Sequence, residues 1–166
     1  DQFTRAAVLF EPTNERLVSH FRRLMARSKQ ALPVVTGFIA ATLDGRTTTI
    51  GRNGSDYTAS IVGAALSATS IEIWTDVDGI LSADPRVVAG AFVVPRVSYE
   101  EAMEMSYFGA NVLHPAAILP AVRAGIPLVV RNTLRPGAPG TRIASGPEPD
   151  PRVAKGITSI GGMTLL

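Results

Sequence analysis

A β-prone apolar run, Val34 to Ala41, precedes the glycine loop Gly51-Arg52-Asn53-Gly54-Ser55-Asp56, and a small-residue helical segment, Tyr57 to Leu66, follows it. A second short β-prone run, Thr47 to Ile50, comes after a turn at Asp44-Gly45. Strand, glycine loop, helix is the resulting order. The small residues let such a helix lie close against a sheet, and Ile71-Glu72-Ile73-Trp74-Thr75 then reads as another strand. A repeated strand, helix, strand order predicts a parallel sheet with right-handed crossovers. Gly51 and Gly54 permit positive φ and close backbone approach, while the free N–H groups and dipole of the helix start favour an anion. Arg52 adds a planar fork suited to carboxylate or phosphate. The same string also suits a plain helix cap at Ser55 or Asp56, so the loop alone leaves both readings open.

At 166 residues and 46% apolar composition, the chain suits one domain with a buried core. Net charge is only +2, the sole lysines are Lys29 and Lys155, and there is no basic run, so nucleic acid is not expected as a partner. Cysteine is absent, which removes disulfide and thiol chemistry, and no apolar span is long enough for a membrane helix. Asp1-Gln2-Phe3-Thr4 opens no apolar core flanked by basic residues, so no signal peptide and a cytoplasmic setting are expected.

Ala6 to Phe10 is a short apolar run, and Glu15 to Ser28 carries Leu17, Val18, Phe21, Leu24 and Met25 at helical spacing. Tyr99 to Phe108 reads as a helix opened by Ser98, with Glu101 completing a capping box. Pro115 to Ala124 reads as another, with proline in its first turn and Gly125 as its stop. Ile126 to Arg131 is a buried strand, and the prolines and glycines of Pro136 to Pro151 predict a closing loop running into a linker. Trp74 is expected in the core, His114 as a cap or a packed side chain, His20 in solvent, and Met103, Met105, Tyr107 and Phe108 as packing between helices. Glu100, Glu101 and Glu104 suit the negative charge favoured at a helix start.

A second chemical loop follows the strand that ends at Thr75: Asp76-Val77-Asp78-Gly79-Ile80-Leu81-Ser82-Ala83-Asp84-Pro85-Arg86. Ligands of open α/β sheets bind beyond the carboxyl ends of strands, which puts this loop and the first on one edge. Asp76, Asp78 and Asp84 suit a magnesium and nucleotide site, and Arg86 suits a phosphate. A solvated acidic loop fits the same spacing; an EF-hand does not, because the ligand spacing and closing glutamate are missing.

Residues Phe38 through Arg86, including both loops, resemble the aspartate kinases of the amino-acid kinase family. The resemblance continues through Met105-Ser106-Tyr107-Phe108-Gly109-Ala110-Asn111-Val112-Leu113-His114-Pro115 and Pro139-Gly140-Thr141, and covers most of residues 34 to 143 in the family's order. Arg-Asn-Gly-Ser-Asp at 52–56, rather than Arg-Gly-Gly-Ser-Asp, looks more like the kinase portion of bifunctional aspartokinase–homoserine dehydrogenases. The resemblance implies a three-layer α/β/α sandwich around a mainly parallel sheet, of which this chain is a partial domain. It implies ATP-dependent phosphorylation of L-aspartate to 4-phospho-L-aspartate, the entry to lysine, threonine and methionine synthesis, with ATP and Mg2+ as cofactors and a homo-oligomer in the full-length protein. Arg52 would grip a substrate carboxylate, Asn53, Gly54 and Ser55 would line the pocket, and Asp56 would orient catalytic groups. Thr75 and Asp76, then Leu81, Ser82, Ala83, Asp84, Pro85 and Arg86, and further on Asn111 and Val112, would contact ATP. Residues 1–144 would be the nucleotide-side part of the catalytic domain, 145–156 a linker, and 157–166 the start of an ACT regulatory domain.

Two departures from the family pattern stand out. No Lys-Phe-Gly-Gly segment occurs, so the chain is expected to start inside the kinase domain and to be inactive alone, with a non-catalytic nucleotide-sensing or assembly module as the alternative. Asn111 stands where the family has a lysine in Gly-Ala-Lys-Val-Leu-His-Pro. An amide hydrogen-bonds a phosphate without neutralising it, and losing one oriented cation from such a site costs on the order of a few kcal/mol. Asn111→Lys in the whole protein is therefore expected to tighten ATP binding and raise turnover. Steady-state kinetics showing neither change would dismiss the difference as inconsequential.

Overall fold

The computed structural model describes residues 6–28, 30, 32–51, 53–107, 113–146 and 154–157. The elements run α1 (Phe10–Arg27), β1 (Ile39–Ala41), β2 (Thr47–Thr49), α2 (Gly54–Ala65), β3 (Ile71–Thr75), β4 (Arg96–Ser98), α3 (Tyr99–Tyr107), α4 (Pro115–Arg123), β5 (Leu128–Asn132) and β6 (Thr141–Ala144). Four strands form one sheet in the order β3-β5-β6-β4, mainly parallel: β3 runs parallel to β5, and β4 to β6, while the central pair β5 and β6 is antiparallel.

Register explains the core. Ile71, Leu128, Ile143 and Val97 face one another in a single row across the four strands, and all are buried; Ile73, Val130 and Thr141 make a second buried row. Tyr99, Ala102 and Met105 of α3 and Ile118 and Ala121 of α4 close over these rows, with Ala59 and Ala64 of α2 packed against them. Side chains alternate across a strand, so Glu72, Val129, Arg142 and Arg96 form the opposite row. That face also carries Trp74, which is 46% exposed and not in the core as the sequence suggests. Trp74 shares the parity of Glu72, donates its indole N–H to the Glu72 carboxylate at 3.1 Å, and lies under the Arg131 guanidinium at 5.7 Å.

Local signals hold where they are self-contained. Ser98 and Glu101 form the capping box of α3: Glu101 N–H donates to Ser98 Oγ at 3.1 Å and Ser98 N–H to Glu101 Oε2 at 2.7 Å. His114 caps α4, its Nδ1 accepting the Ala116 N–H at 3.2 Å, and Gly125 takes φ +65° just after the helix. α1 begins at Phe10, earlier than the helical spacing from Glu15 suggests, and none of its residues is fully buried.

Two segments depart from the sequence reading. The run 34–41 does not enter the main sheet: only Ile39–Ala41 forms a strand, paired antiparallel with Thr47–Thr49, and Val34 is 91% exposed. β propensity supplies no partner, and a two-stranded ribbon lacks a second face to bury. The stretch read as a closing loop contains β6, an interior strand. Gly140 makes this possible with φ +74°, since a Cβ there would collide with the Val130 carbonyl oxygen.

Thr141 fastens the sheet to the loop that follows β3. Its hydroxyl accepts the Ile80 N–H at 2.8 Å and donates to the Val94 carbonyl at 2.7 Å, with the residue wholly buried. Thr141→Val keeps the shape but strands two buried backbone groups, with an expected loss of roughly 2–4 kcal/mol in urea denaturation. An unchanged midpoint would remove the hydroxyl from this role.

Candidate active site

α2 is joined to β3 by only residues 66–70 and packs back on it, so its first turn lies at the same end of the sheet as the carboxyl ends of β3 and β5. The first loop forms a tight junction there. Asn53 takes the left-handed conformation with φ 55°, precedes the helix, and provides no side-chain cap. Of the readings left open, a Ser55 or Asp56 cap is thus replaced by a helix beginning at Gly54. A Cβ on Gly54 would sit 2.7 Å from Phe38 Cδ2, and one on Gly37 would sit 2.8 Å from Ser55 Cα, so two backbones touch where only glycines allow it. Phe38 itself has φ 72°, and its N–H donates to Thr58 Oγ1 at 3.1 Å, whose hydroxyl in turn donates to the Gly54 carbonyl at 2.7 Å. Phe38 thus adopts a left-handed backbone conformation that bulky residues rarely take, and the bond to Thr58 holds it there.

Asp56 lies in the first turn of α2. Burial raises its carboxyl above the ordinary carboxylate range, with a smaller opposing effect from its hydrogen bond with Asn53. Arg52 lies outside the described residues, as do Asn111 and Val112.

The second loop is a closed excursion. Leu81 bridges Val93 antiparallel, Ser82 N–H donates to the Phe92 carbonyl at 2.8 Å, and Val94 N–H to the Ile80 carbonyl at 2.8 Å. At its tip Asp84 folds the chain: Oδ1 accepts the Arg86 N–H at 2.9 Å, and the Arg86 guanidinium closes on the same carboxylate at 2.6 Å. Arg86 holds the Asp84 carboxyl below its usual range. With its side chain 88% exposed, Arg86 is free to exchange that solvent-screened partner for an incoming phosphate. Thr75 donates its hydroxyl to Asp76 Oδ1 at 3.1 Å, and Asp76 is exposed. Asp78 differs, because Asn132 Nδ2 donates to its Oδ1 at 2.7 Å and Arg135 pairs with its Oδ2. Asn132 and Arg135 are site residues the sequence reading missed; the available signal was that Asn132 follows directly on the predicted strand 126–131, at its carboxyl end.

Among the described residues no group of three or more acidic, histidine or cysteine side chains is placed to hold a metal. Among the described residues no helix is long and apolar enough to cross a membrane.

The segment 154–157 comes back to this loop. Ile157 N–H donates to the Ser82 carbonyl at 2.7 Å, Gly156 packs where a Cβ would lie 3.0 Å from that oxygen, and Lys155 Nζ binds Glu101 Oε2 at 2.8 Å. Glu101 is thus both cap and ion-pair partner, beyond the solvated face expected for it.

Because the folded state holds the Asp56 proton more tightly than the unfolded chain does, its contribution to stability declines as pH rises from the ordinary carboxyl range through the raised folded value. Asp56→Asn is expected to raise the urea midpoint at neutral pH, with the advantage shrinking as pH falls toward that range. Equal midpoints across the range would contradict a desolvation cost at the half-buried Asp56.

Comparison with known proteins gives one consistent answer. The amino acid kinase family matches residues 5–132. The lysine-sensitive aspartokinase 3 of Escherichia coli is 47% identical over 144 residues, which cover 87% of this chain and 32% of that protein. The chloroplastic bifunctional aspartokinase/homoserine dehydrogenase 2 of Arabidopsis thaliana is 42% identical over 98% of this chain and 19% of its own length. The structure of E. coli aspartokinase III in complex with aspartate and ADP superposes with a TM-score of 0.79 at 44% identity, covering 89% of this chain and 32% of that one. The chain spans about a third or less of the length of these relatives, and its glycine-packed helix start and pinned loop lie inside the matched region: it belongs to the amino acid kinase family.

Proposed function

We propose that this chain is the nucleotide-side portion of an aspartate kinase, transferring the γ-phosphoryl group of ATP to the side-chain carboxylate of L-aspartate. The observation that carries the reading is the placement of two differently built loops at one end of the sheet: a glycine-tight helix start suited to an anion, and a pinned excursion bearing Asp76 and Arg86. Similarity to an aspartokinase whose structure holds aspartate and ADP supports the pairing. Arg52 grips a carboxylate of aspartate, Asn53, Gly54 and Ser55 line its pocket, and Asp56 orients the reacting groups. Thr75, Asp76, Leu81 to Arg86, Asn111 and Val112 hold the nucleotide, with magnesium on its phosphates.

In the transfer, a side-chain carboxylate oxygen forms the new bond to the γ-phosphorus as the bond from that phosphorus to the β,γ-bridging oxygen breaks, leaving ADP and 4-phospho-L-aspartate. The chain's part is positioning and charge neutralisation, which dominate phosphoryl transfer. The domain reading belongs to the same proposal: catalytic residues 1–144, whose boundary is supported by the end of β6 at Ala144, then a linker at 145–156 and an ACT start at 157–166, of which 147–153 and 158–166 lie outside the described residues. So do a cytoplasmic setting and a homo-oligomer of the whole protein.

Calorimetry of the chain with magnesium-ADP is expected to give saturable binding with a Kd at or below about 1 mM, equivalent to about −4 kcal/mol. Arg86→Ala is expected to weaken it while leaving the fold intact. Absence of saturable heat at millimolar nucleotide would overturn the nucleotide assignment; a separate titration with aspartate tests the other loop.

A further inference from the structure

Asn132 is 5% exposed, a polar side chain buried at the last position of β5. Register places it directly beside Thr75, the last residue of β3, so it stands at the root of the candidate nucleotide loop. Its amide is fully oriented: Oδ1 accepts the Leu134 N–H at 2.8 Å, while Nδ2 donates to Asp78 Oδ1 at 2.7 Å and reaches the Asp76 carbonyl at 3.5 Å. Three residues on, the Arg135 N–H returns to the Asn132 carbonyl at 3.2 Å, and its guanidinium takes the second oxygen of Asp78. Both oxygens of Asp78 are thereby occupied, and its charge is matched by Arg135. Asp76, two residues away, is exposed, and its carboxylate is bonded only by the hydroxyl of Thr75 among the described contacts.

A polyphosphate approaching two free carboxylates meets repulsion from both. Clamping one and leaving the other open gives a single place for a phosphate-bound cation and fixes the intervening backbone. We propose that Asn132 and Arg135 are positioning residues of the nucleotide loop, holding Asp78 so that, of the neighbouring pair Asp76 and Asp78, Asp76 presents its carboxylate to the magnesium-nucleotide. The inference rests on the nucleotide reading above and adds residues that the loop sequence itself does not contain.

The test uses the whole chain, with magnesium-ADP affinity by calorimetry, amide exchange over residues 76–79, and the thermal unfolding midpoint. Asn132→Asp turns the donor facing Asp78 into a second anion, and removing a charge-assisted bond should weaken nucleotide binding at least about tenfold and speed exchange in the loop. Exchanging the pair, Asn132→Asp with Asp78→Asn, restores one donor and one acceptor and should recover affinity to within about threefold of the original. Arg135→Gln, at an exposed position that leaves the core alone, should weaken binding about two- to fivefold at an unchanged midpoint. Failure of the exchanged pair to recover, or unchanged affinity and exchange in both single variants while the original chain binds, would overturn this inference and leave the nucleotide reading standing. No binding by the original chain would overturn both.

Discussion

A loop that leaves a sheet from residue 76 to residue 95 and must still present its groups at fixed positions needs an internal anchor, and here that anchor is a hydroxyl. Thr141 receives the N–H of Ile80 and gives its proton to the carbonyl of Val94, tying the outgoing and returning limbs to an interior strand. Gly79 is required beside it, since at φ +145° any Cβ would run into the Thr141 hydroxyl oxygen. Without a bond at this point, the bridge between Leu81 and Val93 would have no fixed relation to the buried rows, and neither Asp76 nor Arg86 would have a defined place.

The anchor depends in turn on the antiparallel pairing of β5 and β6, which sets Val130 opposite Thr141. A purely parallel arrangement would require a long crossover between these strands, whereas a short proline- and glycine-rich turn at 133–140 suffices here. The same turn carries Arg135 to Asp78. One connection thus sets both the sheet order and the charge balance of the loop.

Much of this was legible because it is local. The capping box at Ser98 and Glu101, the cap at His114 and the stop at Gly125 each depend on a few consecutive residues, and each forms as read. What failed was non-local. Val34 to Ala41 has the composition of a buried strand but no partner in the sheet, while Thr141–Ala144 sits in a proline- and glycine-rich stretch and gains its partners from segments far along the chain. Trp74 was misplaced by residue type although strand alternation, with Ile71 and Ile73 inward, already put it with Glu72 on the open face. Asn132 escaped notice because its meaning lies in a register with Thr75 that the sequence does not display.

The contact between Ile157 and Ser82 has a mechanical implication. The backbone bond is short, Gly156 leaves no slack beside it, and Lys155, only 14% exposed, is tied to the first turn of α3. A displacement of this segment must either break those links or drag the loop with it. The short segment 154–157 and the loop at Ser82 are therefore mechanically one piece, so a force on either is felt by the other.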